Sequence, residues 1–585
     1  MSSLASPTPS DLTMRGENHS ASSAEDFEED LGMMAEDRGA VGDEEKSSVV
    51  RNEADRQKFA NGFDLDKDAH DLFIEWIEHN GGNFPKLYLK EYTEGVRGVH
   101  TSSDIDSDEV IMRIPYKCCI TVEMGKQTST GKLLIQKKVD SLFDAPKHIF
   151  LMLFIMIDGE DEKSFFQPYY NILPTALSCM PVFWRDEEYQ WLRGSYLLQQ
   201  IQMRKDAIRE DYNLVCKHDP SFRRFGLEYF AWARMIVCSR NFGGIVGGTK
   251  TSAMVPMADM LNHYRPRETR WGFREESKNF EISATTPIAG GGVVYDSYGK
   301  KCQHRFLLNY GFAVENNVEE DGRNPNELYV TMELLPRSED ACHGLKLKIL
   351  ERNYGPGEIR RGVRVGTTYK SGSTLEAWSF LRFIHLTPDE LNQHLERMRG
   401  SNGDGVDIST QITAPVSIEN ETKCLKKMAS LMVKQLQKYD TTYEEDLALL
   451  NTPVSEGGPP PFSNRRNALI YMCGEKEICN FYIDLMRRCV KYFTYDMAQL
   501  RLEMKAFFGP LLGDMYNGTA EYMTECVAPL LAHREWELRE AKQPFQRISG
   551  KQRISTMAKA SNSGVSEKAS GSSWKRDRSG GFKKS

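Results

Sequence analysis

The sequence predicts an α+β fold in two folded parts, a β-rich part interrupted by helices and then an all-α part. Short strand-like runs, Val96 to His100 and Val110 to Ile114, are followed much later by Ala253 to Met257, Phe280 to Ala284 and Val293 to Tyr295. Between these two groups, from about 140 to 235, apolar residues shift to helical spacing. After about 325 strands fade, and Ile478, Phe481, Tyr482, Leu485, Met486, Cys489, Val490 and Phe493 draw one apolar stripe along a helix.

In chain order, residues 1 to 65 are rich in Ser, Asp and Glu with few aromatics, and too little apolar surface is present to offset the entropy of ordering. A disordered acidic segment is expected there. From Asp68 the pattern Leu72, Phe73, Trp76 and Ile77 predicts a helix over about 68–79, which Gly81-Gly82 stops. Asp and Ser lie between the two strands that follow, and Pro115 closes the second. Helical segments are read at Phe150 to Ile157, Tyr189 to Ile208 and Tyr229 to Cys238. Strands interrupted by such an insert argue against regular βαβ winding. Loops at Gly400 to Gly405 and Gly457 to Phe462 interrupt the helical half without dividing it. The expected boundaries are 66–320 for the first part, with its insert at about 125–235, 321–540 for the second, and a disordered basic tail over 541–585.

Composition excludes several classes. With 40% hydrophobic and 27% charged residues the chain is ordinary for a soluble protein. Its longest apolar candidate, Ile149 to Ile157, falls short of the roughly 18 residues of a membrane span. The start, MSSLASPTPSDLTMRGENHS, has no basic stretch before an apolar block, so a cytosolic or nuclear protein is expected. Twelve cysteines occur without any Cys-x-x-Cys pair, which indicates neither a zinc module nor a disulfide framework. The net charge of -8 conceals an acidic start and a basic end, so it says little about partners. The basic tail could touch nucleic acid, but a solvated tail is the plainer reading.

Three segments attract attention as chemistry: Glu94-Gly95-Val96-Arg97-Gly98, Ala258-Asp259-Met260-Leu261-Asn262-His263 and Tyr295-Asp296-Ser297-Tyr298-Gly299. Each is weak alone. The first is also a plausible tight turn and lacks the spacing of a dinucleotide fingerprint. In the second, His263 has no second His or Cys at ligand spacing, so a structural histidine is favoured over a metal ligand. Tyr298 could merely pack its ring at a strand end. The stretch Gly243 to Thr251 fails the phosphate-loop pattern, because Thr249 intrudes before Lys250 and a strand rather than a helix follows.

Taken in order, these segments resemble the SET-domain methyltransferases of the branch that contains the plant Rubisco lysine methyltransferases and the actin-histidine methyltransferase. The likeness begins at Trp76 and runs through Glu94 to Gly98, Ile114-Pro115, Pro168-Tyr169, Leu173-Pro174, Phe183-Trp184 and Leu192 to Ser195. It continues through Ser239-Arg240-Asn241, Val255 to His263, Tyr298-Gly299 and Tyr310-Gly311-Phe312. In the helical half, Thr441 to Asp446 and Gly474 to Ile478 are similar to that branch's C-terminal substrate-binding domain, so about 68 to 495 is covered. The resemblance implies a SET-domain β fold with a pseudoknot, in which 258–263 threads under the later segment. It implies S-adenosyl-L-methionine as cofactor and a non-histone protein substrate; no metal, from the Cys and His spacing, and a monomer are expected.

Carried over residue by residue, the resemblance implies that Glu94, Gly95, Arg97, Gly98 and Val99 cradle the cofactor, that Arg240 stands near its carboxylate, and that Asp259 also belongs to the cofactor-binding set. Asn262 and His263 would bond its amino and adenine groups, Tyr310 and Phe312 would close over the adenine, and the Tyr298 hydroxyl would sit beside the transferred methyl. Phe242, Ala258 and Tyr295 would line the substrate channel. Histidine-specific relatives carry an asparagine and a tryptophan where this chain has Phe242 and Ala258, so lysine is the expected acceptor and histidine the alternative. A non-catalytic binding scaffold is a further alternative, against which the retention of Asn262, His263 and Tyr298 argues. One departure is Cys302-Gln303-His304-Arg305, where relatives have small and acidic residues.

Overall fold

A computed structural model describes residues 68–93, 96–246, 248–399, 407–507 and 514–542. The segments 1–65 and 400–405, and the basic tail beyond Lys542, lie outside the described residues. The chain divides into two units, Met1–Leu530 and Leu531–Ser585. Of the second, 531–542 is described, as the end of the helix Ala528–Lys542.

Helix α1 (Ala69–His79) starts where the Asp68 side chain accepts the His70 N–H, and it buries Phe73, Trp76 and Ile77. It ends before Gly81, whose φ of 93° a side chain would resist. Strand β1 (Leu87–Thr93) then pairs antiparallel with β2 (Val96–Thr101). Sequence patterning misses β1, because Tyr88, Lys90, Glu91 and Tyr92 are exposed and leave too short an apolar alternation. β3 is Val110–Pro115 and β4 is Ile120–Thr121.

The insert holds α2 (Pro146–Asp158), α3 (Leu197–His218) and α4 (Leu227–Arg240). α2 is apolar nearly all round and is correspondingly buried from His148 to Leu153. The helix expected over Tyr189 to Ile208 is broken. A 3-10 segment, Asp186–Leu192, precedes α3, and between them Gly194 takes φ 85°, where a Cβ would lie 2.4 Å from the Lys438 carbonyl oxygen.

After the insert come β5 (Asn241–Val246), β6 (Thr249–Met254), β7 (Asn262–His263), β8 (Thr269–Arg274), β9 (Asn279–Ala284) and β10 (Tyr295–Asp296). β5, β6, β8 and β9 join β3 and β4 in two three-stranded sheets, ordered β3-β9-β8 and β4-β6-β5. The strand expected to reach Met257 ends at Met254, because Met257 turns the backbone to φ 71°. Val293 contributes an isolated bridge to His100 rather than a strand position. The decisive feature is that β7 pairs parallel with β10, Asn262 opposite Tyr295 and His263 opposite Asp296. Two stretches more than thirty residues apart thereby cross as the expected pseudoknot.

Helix α5 (Gln303–Tyr310) closes this part at Gly311, φ 79°. The second part is not all-α. A ribbon of β11 (Leu328–Glu333) and β12 (Arg360–Val365) precedes α6 (Gly372–Ile384), α7 (Ile418–Leu436) and α8 (Asn464–Tyr492). Leu328, Val330 and Met332 alternate inward with Thr331 and Glu333 outward, but the partner strand stands 27 residues further on. No hairpin turn announces the pair. α8 begins at the Ser463 cap, fifteen residues before the apolar stripe read from the sequence.

The two parts share buried polar contacts. Glu475 of α8 accepts hydrogen bonds from Ser195 Oγ of the insert (2.9 Å), Tyr439 Oη (2.8 Å) and Tyr471 Oη (2.6 Å). Burial raises its carboxyl above the usual range, and the three hydroxyls act against that. Among the described residues no helix is long and apolar enough to cross a membrane.

Candidate active site

The β7–β10 crossing sets the geometry. The Tyr298 N–H donates to His263 Nδ1 at 3.1 Å, and the Tyr298 hydroxyl donates to the Leu261 carbonyl at 2.9 Å. Main chain and side chain of one tyrosine are thus fastened to the strand it crosses. The Asn262 amide donates to the Arg97 carbonyl at 2.8 Å, which ties β2 to the same crossing. His263 therefore carries its proton on Nε2, and that buried atom has no hydrogen-bond partner among the described residues. Burial, with the charge of Arg265 second, draws the imidazole down to about 4, so it is neutral at physiological pH.

Aromatic rings stack over this pair. His263 lies 5.2 Å from Tyr298 and 4.8 Å from Phe306, centroid to centroid, and Tyr298 lies 5.0 Å from Tyr310. Phe312 meets Phe306 at 5.2 Å and His263 at 6.1 Å. The helical half fixes this last segment, since Asn467 of α8 accepts from the Ala313 N–H at 3.1 Å and donates to the Gly311 carbonyl at 3.3 Å.

Behind the crossing lies a buried charge cluster. Arg240 Nη1 donates to the Asp259 carboxylate (3.1 Å) and to the Asp259 carbonyl (3.0 Å), and Tyr169 Oη donates to the same carboxylate at 2.7 Å. The Asp259 side chain is fully buried. Arg97 adds a second guanidinium, its Nη1 3.0 Å from His70 Nε2 and its buried Nη2 without a hydrogen-bond partner among the described residues. Burial and the Arg240 charge draw Arg97 down to about 10.

Of the residues singled out from the sequence, Arg97, Gly98, Asn262, His263, Tyr298, Tyr310 and Phe312 come together around the crossing. Glu94 and Gly95 lie outside the described residues. Val99 is wholly buried and its carbonyl accepts from the Val294 N–H, so it holds β2 against the strand leading to β10. Asp259 is the counter-ion of Arg240. Tyr295 is half-buried and tilts against Tyr264 at 4.9 Å. Ala258 is buried, and Phe242 packs edge-on to Trp271 (5.1 Å) and Phe280 (5.0 Å). Sequence reasoning does not assign site roles to Tyr169, His70 and Asn467. Only Tyr169 carried a local signal, in the Pro168-Tyr169 pair.

The unusual Cys302-Gln303-His304-Arg305 stretch packs toward the helical half. Cys302 and His304 lie with Glu327 so that three potential donor atoms fall within 4.8 Å of one another. Arg364 Nη1, however, stands 3.3 Å from His304 Nδ1 and 2.7 Å from Nε2, a cation beside both nitrogens of the ring. Burial pushes the Cys302 thiol up to about 12, away from the thiolate that binds metals.

A β core crossed by a parallel pairing of distant stretches, with a helical insert and buried aromatic and guanidinium groups at the crossing, is the architecture of SET-domain methyltransferases. The SET domain of LSMT bound to lysine and AdoHcy superposes with a TM-score of 0.56 at 21% identity, over 72% of this chain and 91% of that one. LSMT bound to AdoMet gives 0.56 at 22% identity, with coverage of 72% and 92%. Residues 337–478 match the Rubisco LSMT substrate-binding family. The chain thus combines the SET fold with a substrate-binding domain of that type. In sequence it is similar to the actin-histidine N-methyltransferase of Mus musculus, 26% identical over 399 residues, covering 65% of this chain and 63% of that one. The Xenopus tropicalis protein is 27% identical over 395 residues, covering 65% and 64%. The chain spans a little under two thirds of the length of these relatives.

Proposed function

We propose that this chain is an S-adenosylmethionine-dependent protein N-methyltransferase. The observation that carries the reading is the pairing of Asn262-His263 with Tyr295-Asp296, which delivers the Tyr298 hydroxyl to the Leu261 carbonyl beside an unsatisfied His263 Nε2–H. The residues fit a nucleoside that carries an amino-acid tail. His263 offers a donor, Phe312 and Tyr310 offer ring faces, and Arg97 offers a guanidinium. A Cβ at Gly98 would come within 2.7 Å of Tyr92 Oη and 3.3 Å of Asn262 Nδ2, so the backbone there is bare and closely approached.

When bound, the cofactor supplies an electrophilic methyl on a sulfonium. The protein's part is mainly alignment, since displacement at that carbon needs the acceptor nitrogen in line with sulfur. Tyr298 spends its proton on Leu261 and keeps its oxygen lone pairs, which can accept weak C–H···O bonds from a polarised methyl. Burial pushes this phenol above its usual range, so it stays neutral. Arg240, held by Asp259, would stand by the cofactor's amino-acid tail.

The acceptor is a side-chain nitrogen of another protein. The relatives' activity supports histidine better than the lysine expected from the sequence. What supports lysine is the pair Phe242 and Ala258, an apolar lining without an amide to orient a ring. Chemistry separates the two. At pH 7.4 about nine-tenths of histidine is neutral and ready to attack, whereas only about one lysine in a thousand is. Purified protein, labelled cofactor and a proteome extract, followed by hydrolysis and mass spectrometry, identify the methylated residue. Methylhistidine, with a rate flat above about pH 7.5, is expected for the histidine reading; methyl-lysine with a rate rising into the alkaline range supports lysine. Cofactor binding without any protein labelling would favour the scaffold alternative and overturn the enzyme.

A further inference from the structure

Helix α1 has two working faces. Phe73 and Ile77 are fully buried in the core, whereas Leu72, Trp76 and His79, at i, i+4 and i+7, line a cavity of about 440 Å³ that the segment 162–171 closes from the other side. A cavity of this size falls in the roughly 300–1,000 Å³ range of small-molecule sites. None of its lining residues is among those gathered at the β7–β10 crossing. Its wall includes two buried polar atoms without a hydrogen-bond partner among the described residues, the donor Trp76 Nε1 and the acceptor Gln167 Oε1. Both residues are only 5% exposed. The Gln167 amide is held this way round by its Nε2, which donates to Asn171 Oδ1 at 3.2 Å; reversing it would set two carbonyl oxygens against each other. A buried donor and a buried acceptor left unpaired are each costly, so a group that satisfies both gains binding energy from doing so.

We propose that this cavity binds a small planar compound carrying an uncharged amide, whose carbonyl accepts from the Trp76 indole N–H and whose own N–H donates to Gln167 Oε1. One amide supplies both complements. A carboxylate has no donor for Gln167, and an ammonium has no acceptor for the indole. The charged residues of the lining, Glu162 and Lys163, are of opposite sign, so formal charge favours neither an anion nor a cation. The walls favour a flat ring: Trp76 meets Phe165 edge-on at 5.3 Å, Phe165 is 43% exposed, and Leu72 and Pro168 complete the apolar lining. The site does not depend on the methyltransferase reading. It does adjoin the buried charge cluster, because Gln167 and Pro168 directly precede Tyr169, the donor to Asp259, in the short helix Gln167–Tyr170.

The test titrates two probes of one shape into the full chain labelled with nitrogen-15 at its indoles. Benzamide carries the amide; acetophenone replaces the amide nitrogen by a methyl and keeps only the acceptor. The chain has eight tryptophans, and the indole signal missing from Trp76→Phe identifies Trp76. Benzamide should move that signal saturably, with a Kd of about a millimolar or tighter, and acetophenone should bind about three- to tenfold more weakly. In Gln167→Met, checked for a cooperative thermal transition, the preference for benzamide should vanish. The wild-type comparison of the two probes, repeated by titration calorimetry, needs no variant to fold. Equal affinity of the two probes for wild type, or a preference that survives Gln167→Met, would overturn the amide assignment. A wild-type chain that binds neither probe at about 10 mM, as when water or another part of the chain already satisfies the indole, would overturn the site itself.

Discussion

Asp259→Asn is the sharpest perturbation of the site, because it keeps the shape and removes a charge. The carboxylate is fully buried and receives Arg240 Nη1 at 3.1 Å and Tyr169 Oη at 2.7 Å, with Arg97 close enough to feel its charge. An amide could still accept a hydrogen bond, but it would take the Asp259 charge away from both guanidiniums. Removing one partner of a buried pair costs about 3–5 kcal/mol, and the second arginine places this case toward the upper end. Urea denaturation of the folded chain measures the loss. The double variant Asp259→Asn with Arg240→Met removes both charges of the pair and should recover at least about 2 kcal/mol of it, since replacing a whole buried pair is far milder than breaking it. A loss below about 1 kcal/mol in the single variant, or no recovery in the double, would show that Asp259 does not neutralise Arg240.

Tyr298→Phe removes the donor to the Leu261 carbonyl and the oxygen beside the reacting centre, so turnover should fall about a hundredfold while S-adenosylhomocysteine binding stays within a few-fold; unchanged turnover would refute the assignment. His263 is held down to about 4 against an ordinary 6.5, so the fold favours its neutral form. Its contribution to stability is therefore complete above about pH 6.5 and is lost as pH falls from 6.5 toward 4. Carbon-labelled histidine NMR should show this ring still neutral at pH 5.5, and a midpoint near 6.5 would contradict the burial argument. Gly98→Ala forces a methyl against Tyr92 Oη, itself 2.7 Å from His100 Nε2, and against Asn262 Nδ2. About 1–3 kcal/mol of stability should be lost by urea denaturation, with weaker nucleoside binding. Full stability would mean that Tyr92 simply swings away.

What the sequence exposes and what it conceals divide along chain separation. Helix α1 was legible because its apolar face, its Asp68 cap and its Gly81 stop are all local. The β7–β10 crossing was legible only through ordered likeness to known proteins, since no periodicity links two-residue strands. Tyr169 donates to Asp259 across 90 residues and Asn467 reaches Ala313 across 154, and nothing near any of the four announces its partner. Side-chain charge is concealed in the same way. Arg97 in its glycine-flanked stretch reads as part of a turn, and its nearness to Arg240 and Asp259 becomes visible only in the folded chain. The β11–β12 ribbon shows the opposite failure. Its alternation is present locally, but a 27-residue separation hides the pairing.

The helical half takes part in the site through hydrogen bonds to its aromatic segment. Its helix α8 holds Gly311 and Ala313 through one side chain, Asn467, and these two residues flank Phe312, whose ring lies against Phe306 and His263. About two turns further along, Glu475 of the same helix gathers Ser195 of the insert with Tyr439 and Tyr471. A single rigid helix therefore grips both the aromatic segment at the crossing and the insert that carries Tyr169. Any displacement of α8 by an arriving protein would be felt at the rings over His263, because a packed helix moves as a body. On the proposed function, a protein docking against α8 and the rings around His263 would be linked by shared hydrogen bonds rather than by proximity alone.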